Sequence, residues 1–178
     1  MNLPNKLTVL RVIMVPIYVF LQLCDFWPGY TKWLALAVFI IASLTDLADG
    51  KIARKYNLVT NFGKFMDPLA DKLLVCSALV CLTYLNKVSA WVVIIIIGRE
   101  FIISGVRLIA SDNGVVIAAS MWGKVKTVFQ MFMIGFLIGD VDHPVMRMIT
   151  LILVIVATLL TIISLVDYLV KNKDVLKS

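Results

Sequence analysis

Six long apolar stretches, at roughly 7–24, 32–55, 63–85, 89–110, 121–139 and 145–170, take up most of this 178-residue chain and leave no room between them for a soluble domain. A helix needs about 20 residues to cross the ~30 Å hydrocarbon layer of a bilayer, so each stretch is long enough to span it or nearly so. None alternates polar and apolar residues at period two, which excludes the strands of a membrane barrel. Breakers fall where connections are needed: Pro28-Gly29, Asn86, Asn113-Gly114 and Pro144. Apolar residues make up 61% of the chain and charged residues 16%, against about 45–50% and 25% in soluble domains. A domain of this size cannot hide so much apolar surface in its own core. The pattern predicts an all-α integral membrane protein of six transmembrane helices, one domain over residues 1–178. A soluble enzyme, a disordered chain and a nucleic-acid binder are excluded, so the net charge of +6 reads as basic flanks against anionic lipid.

With an even number of spans both termini lie on one side. Lys6, Arg11, Lys51, Arg54, Lys55, Lys64, Lys72, Arg99, Arg107, Lys124, Lys126, Lys171, Lys173 and Lys177 fall on or toward that side. Only Lys32, Lys87 and Arg147 fall on the other. The positive-inside rule then puts both termini in the cytoplasm, and the chain is expected in the cell's inner (cytoplasmic) membrane. The first apolar run ends Leu23-Cys24-Asp25 without a small-residue cleavage site, so it reads as a retained span and not a signal peptide. Cys24, Cys76 and Cys81 lie in apolar runs without CxxC spacing and read as packing residues. Gly135 and Gly139 form a small-xxx-small pair, read as packing within the bundle before a dimer seam; a homodimer stays open. Tyr30, Trp33, Tyr84, Trp91 and Tyr168 read as interface anchors, and His143 as an outer-loop residue.

The charges that interrupt the apolar runs narrow the function. Asp46, Asp49 and Arg54 lie toward the cytoplasmic end of the second span; Asp67, Asp71 and Lys72 open the third. A charge at the centre of a span costs ~2.5–3.5 kcal/mol even on the mildest scale. At about 100° per residue, Asp46, Asp49, Gly50 and Ala53 share one helix face, and Asp67 and Asp71 share a face of the next. Two helices joined by a short turn can bring all four carboxylates around one cavity, where cations would remove their repulsion. All-oxygen ligation suits Mg²⁺ or Mn²⁺, not zinc or copper. The plainer alternative pairs these acids with Lys51, Arg54, Lys64 and Lys72 at the membrane interface. The acid spacing of an EF-hand is missing, and Gly123-Lys124 lacks the rest of a Walker A motif.

Residues 46–71 read D-x2-D-G-x2-A-R-x8-G-x3-D-x3-D, through Asp46, Asp49, Gly50, Ala53, Arg54, Gly63, Asp67 and Asp71. This resembles the signature of the CDP-alcohol phosphotransferases without departure at any position. Chance agreement is on the order of 10⁻¹⁰ per starting position at ordinary residue frequencies. The resemblance implies a six-helix membrane enzyme in which Asp46, Asp49, Asp67 and Asp71 hold two divalent ions, Mg²⁺ or Mn²⁺. It implies further that Asp71 is the catalytic base toward the acceptor hydroxyl, and that Asp46, Asp49, Gly50, Ala53, Arg54 and Gly63 shape the CDP pocket. The residue chemistry agrees: Gly50 and Ala53 leave room for close approach, and Arg54 offers a planar fork to pyrophosphate oxygens. A metal-bound carboxylate is a weak base, so Asp71 would need loose coordination.

Three further stretches, at 3–11, 98–107 and 123–127, together with 64–72, resemble the branch of this family that uses glycerol 3-phosphate and CDP-diacylglycerol to form phosphatidylglycerophosphate and CMP. A phosphorylated acceptor also fits the charges. Arg99, Glu100 and Arg107 interrupt the fourth span, and Lys124 and Lys126 open the fifth. Arg107, Arg99, Lys124 and Arg11 are the candidates for the acceptor phosphate. The helical wheel places Glu100, Ser104 and Arg107 on one face with Arg99 elsewhere, and separates Lys124 from Lys126 by about 200°. Lys124 is preferred of the two. The alternative is a buried structural network of Arg99, Glu100 and Arg107. Asn5, Thr8 and Arg11 would line the nucleotide or phosphate side of the cavity, or else form an interfacial cap with a snorkelling arginine. Two other readings are a different acceptor, serine or an inositol phosphate, and a small cation transporter. The transporter predicts internal repeats, and the acids of 46–71 have no counterpart later in the chain.

Overall fold

A computed structural model describes residues 3–24, 26–27, 29–55, 61–114, 117 and 120–173, and within these the side chains outside 3–4, 46–55 and 61–65. Among the described residues the chain is helical and has no strand. The helices are α1 (Leu3–Leu23), α2 (Thr31–Lys55), α3 (Asn61–Tyr84), α4 (Ala90–Asp112), α5 (Met121–Gly139) and α6 (Pro144–Lys171). Each falls within about one turn of an expected span. Asn5–Leu23, Met121–Gly139 and Pro144–Lys171 are long and apolar enough to cross a bilayer on length and composition alone. Charges interrupt the other three: Asp46 and Asp49 in α2, Asp67 and Asp71 in α3, Arg99, Glu100 and Arg107 in α4. The expected breakers do their work. Gly29 and Gly114 take φ of +86° and +73°, and Asn86 takes +57°, a left-handed turn that side chains other than glycine and asparagine rarely accept.

The chain divides into two compact units. The first, Met1–Lys87 with Ile138–Asp140, holds α1, α2, α3 and the end of α5. Here α1 packs along both α2 and α3. Val15 and Tyr18 of α1, Ala35, Phe39 and Ala42 of α2, and Ala70, Leu74 and Ala78 of α3 are buried. The alanines let backbones approach closely, as helices must where lipid supplies no hydrophobic drive between them. The Tyr18 and Phe39 rings lie 6.0 Å apart, tilted by 52°, within the favoured range for an aromatic pair. Leu10, Ile13, Ile17 and Phe20 repeat at helical spacing on the opposite, exposed face of α1, while Asn5, Thr8 and Arg11 are buried. Large apolar residues outside and polar residues inside reverse the soluble rule. Gly139 is the small residue the sequence suggested: a Cβ there would sit 3.7 Å from Leu36 and 3.9 Å from Trp33 of α2. Asp140 follows at φ +42°, with its carbonyl accepting from Lys32 Nζ at 3.0 Å and its carboxylate 3.1 Å from Lys87 Nζ.

The second unit, Val88–Leu137 with Val141–Ser178, holds α4, most of α5 and α6. Ile103 and Val106 of α4 pack with Tyr168 of α6, flanked by Leu165, Leu169 and Ile117. Tyr168, expected as an interface anchor, is 2% exposed. The outer face of α6 presents Met148, Leu151, Ile155, Leu159 and Val166, the lipid-facing surface expected of this span. His143 is more than a loop residue. Its Nδ1 accepts from the Val145 N–H at 3.3 Å, capping α6 ahead of Pro144.

Candidate active site

In the first unit, the polar face of α1 meets the acidic half of α3. Asn5, Thr8 and Arg11 recur every three residues and lie on one side of α1, all buried, Thr8 and Arg11 completely so. Asp67 and Asp71 are one turn apart on α3, both half-buried. The Thr8 hydroxyl donates to Asp67 Oδ1 at 2.5 Å. The buried Arg11 does not snorkel to an interface.

Asp46, Asp49, Gly50, Ala53 and Arg54 belong to the last turns of α2, and Gly63 to the first turn of α3. Their side chains lie outside the described residues. Among the described residues no three His, Cys, Asp or Glu side chains come together, since two of the four expected acids are not among them. Half-buried carboxylates a turn apart, one with an oxygen already fixed by a hydroxyl, are hard oxygen donors that fit a divalent cation.

The second unit gathers a basic cluster around one carboxylate. Glu100 Oε1 accepts from Arg99 Nη1 at 3.1 Å and from Lys126 Nζ. The three side chains are 19%, 10% and 2% exposed. Arg99 Nε also donates to the Ser164 hydroxyl of α6 at 3.1 Å. Gly123 of α5 makes room for this guanidinium, because a Cβ there would stand 3.1 Å from Arg99 Nη2. Arg107 lies apart from Glu100: its Nε donates to the Tyr168 hydroxyl at 3.3 Å, with the guanidinium carbon 5.7 Å from the Tyr168 ring centre. Lys124 is exposed.

The helical wheel set Glu100 and Arg107 on one face and Arg99 elsewhere, whereas Glu100 bonds the neighbouring Arg99, and Lys126 with it. A long guanidinium reaches around the helix to its neighbour, which residue angles ignore. Sequence reasoning set Lys126 behind Lys124, and gave Ser164 and Gly123 no part in this cluster. The only signals for them were a lysine, a serine and a glycine within apolar spans.

Helices that expose large apolar side chains and bury arginine, lysine and carboxylates belong to a polytopic α-helical membrane protein. The family model for CDP-alcohol phosphatidyltransferases matches residues 1–165, and the chain belongs to that family. It is 43% identical to the CDP-diacylglycerol–glycerol-3-phosphate 3-phosphatidyltransferase of Bacillus subtilis, over 99% of this chain and 98% of that one. It is 38% identical to the Haemophilus influenzae protein of the same name, over 94% and 91%. A probable phosphatidylglycerophosphate synthase of Mycobacterium tuberculosis is 38% identical over 96% of this chain and 81% of its own.

Proposed function

We propose that this chain transfers the phosphatidyl group of CDP-diacylglycerol to sn-glycerol 3-phosphate, releasing CMP and forming phosphatidylglycerophosphate. The observation that carries this reading is the likeness, over nearly the whole of both chains, to the Bacillus subtilis enzyme of that name. The likeness covers both units, so one catalytic domain over residues 1–178 is the simplest organisation. The basic asymmetry supports six spans with both termini and the site on the cytoplasmic side of the inner membrane.

In this reading Asp46, Asp49, Asp67 and Asp71 would hold two divalent ions, Mg²⁺ or Mn²⁺, which would supply charge neutralisation at the pyrophosphate and so favour departure of CMP. Asn5, Thr8, Gly50, Ala53, Arg54 and Gly63 surround the CDP moiety. Asp71 takes the proton of the acceptor hydroxyl as its oxygen attacks the phosphorus that bears the diacylglycerol. The bond from that phosphorus to the CMP oxygen breaks, and CMP leaves with the electron pair. Arg99, Arg107, Lys124 and Arg11 are the cations available to the acceptor phosphate. Arg99 is supported by its fixed geometry between Glu100 and Ser164, and Lys124 by its exposure. Lys126 is engaged by Glu100.

The test is an acceptor panel with CDP-diacylglycerol and the purified chain in lipid–detergent micelles, following CMP and the lipid product. Glycerol 3-phosphate should give phosphatidylglycerophosphate, whereas serine, inositol and inositol phosphate should give no product. Faster turnover with any of the latter would overturn the acceptor, and ion flux without CMP release would overturn the class.

A further inference from the structure

Thr8 is singled out by where its hydroxyl goes. Thr45, Thr83, Thr127, Thr150, Thr158 and Thr161 all donate to the carbonyl four residues back in their own helix, at 2.6–3.0 Å. That is the ordinary way for a helical threonine to satisfy its proton. Thr8 donates out of its helix, to a carboxylate oxygen on α3, 59 residues along the chain. Its side chain is completely buried, whereas Asp67 is only half-buried.

A buried β-branched side chain has little rotamer freedom, so its hydroxyl is a fixed point. Bound to it, Asp67 has one oxygen pinned and the other directed by the planar carboxylate. We infer that Thr8 is a positioning residue for Asp67, holding Oδ1 so that the remaining oxygen is presented to a divalent cation in one orientation. This rests on the reading of Asp67 as a metal ligand, and it adds a metal-side role to the place of Thr8 beside the CDP moiety. Partners one bond behind a metal ligand typically contribute about 10–100-fold in metal affinity.

The test is Mn²⁺ binding to the full chain in detergent without nucleotide, followed by electron paramagnetic resonance. Thr8→Val keeps the shape and removes the donor, so the Mn²⁺ Kd should rise ~10–100-fold. Thr8→Ser, which keeps the hydroxyl, should restore affinity to within a few-fold. Excess Mn²⁺ should return the kcat of Thr8→Val. Thr8→Ala replaces Thr8→Val if the valine chain does not fold. An unchanged Mn²⁺ Kd in the donor-less variant, with a raised CDP-diacylglycerol KM, would overturn the inference and return Thr8 to the nucleotide. Asp67→Asn separates the two levels of the argument. If it too leaves Mn²⁺ binding intact, the metal reading of Asp67 fails; if it weakens binding and Thr8→Val does not, only the positioning role fails.

Discussion

Glu100 is the place where one change should cost most. Its Oε1 receives both Arg99 and Lys126, and all three groups are largely shielded from water. At 3.1 Å and an effective dielectric constant of about 20, the Arg99 attraction alone is about 5 kcal/mol, before desolvation is counted. Glu100→Gln keeps the shape and a hydrogen-bonding oxygen but leaves two buried cations facing each other. Breaking a buried pair this way costs about 3–5 kcal/mol. Lys126→Met removes one of two cations and leaves Glu100 paired with Arg99, so its loss should be about 1.5–3 kcal/mol, the worth of one charge-assisted hydrogen bond. At roughly 2–4 °C per kcal/mol for a chain of this size, Glu100→Gln should lower the unfolding midpoint in detergent by about 6–20 °C. Lys126→Met should lower it by less. The sign of the double variant is the sharper check. Adding Lys126→Met to Glu100→Gln removes one of two like charges that Glu100 Oε1 had drawn together, so it should raise the midpoint above that of Glu100→Gln. A double variant less stable than Glu100→Gln alone would refute the view that shared charge, and not packing of the lysine stem, holds this cluster together.

Arg107→Ala should raise the glycerol 3-phosphate KM with little change in CDP-diacylglycerol binding, and Tyr168→Phe should do the same more weakly, because it removes only the hydroxyl that fixes Arg107 Nε; steady-state kinetics in both substrates reads the difference. Gly123→Ala should raise the acceptor KM a few-fold, since its Cβ meets Arg99 Nη2 at 3.1 Å and the guanidinium is pinned from two other sides; an unchanged KM would remove Arg99 from the acceptor site. Chelation should abolish CMP release, and metal titration should separate the acids: Asp46→Asn should be partly rescued by excess Mg²⁺ or Mn²⁺. Asp71→Asn should stay ~10²–10⁴-fold slow at saturating metal, as befits loss of a general base; equal rescue of both would make Asp71 a ligand only.

What could be read from the sequence divides along a physical line. Helix positions follow from run length and from breakers, and these are local: Gly29, Asn86 and Gly114 adopt the left-handed turns that their residue types permit. The acids of α2 and α3 stand out in the sequence for a related reason, because a carboxylate in an apolar span is costly. Asp140 was not legible. It takes a left-handed φ of +42° at a position where its carbonyl and carboxylate are held by Lys32 and Lys87 from elsewhere in the chain.

The same difference explains the basic cluster. A helical wheel ranks residues by the angle of their Cα–Cβ bonds, which suits short side chains such as Asp67 and Asp71. Arg99 and Lys126 extend several bonds beyond Cβ, so their partners depend on which helices flank them and on where a neighbour is small. Gly123 and Ser164 set those conditions for Arg99, one by lacking a side chain and the other by offering a hydroxyl. A glycine in α5 and a serine in α6 acquire meaning only once the Arg99 side chain of α4 reaches both. Thr8 belongs to the same class: its donation to Asp67 links positions 59 residues apart and leaves no local mark. A charged residue within an apolar span can be noticed in the sequence alone, but the small residue that aims it is recognised only from the packed helices.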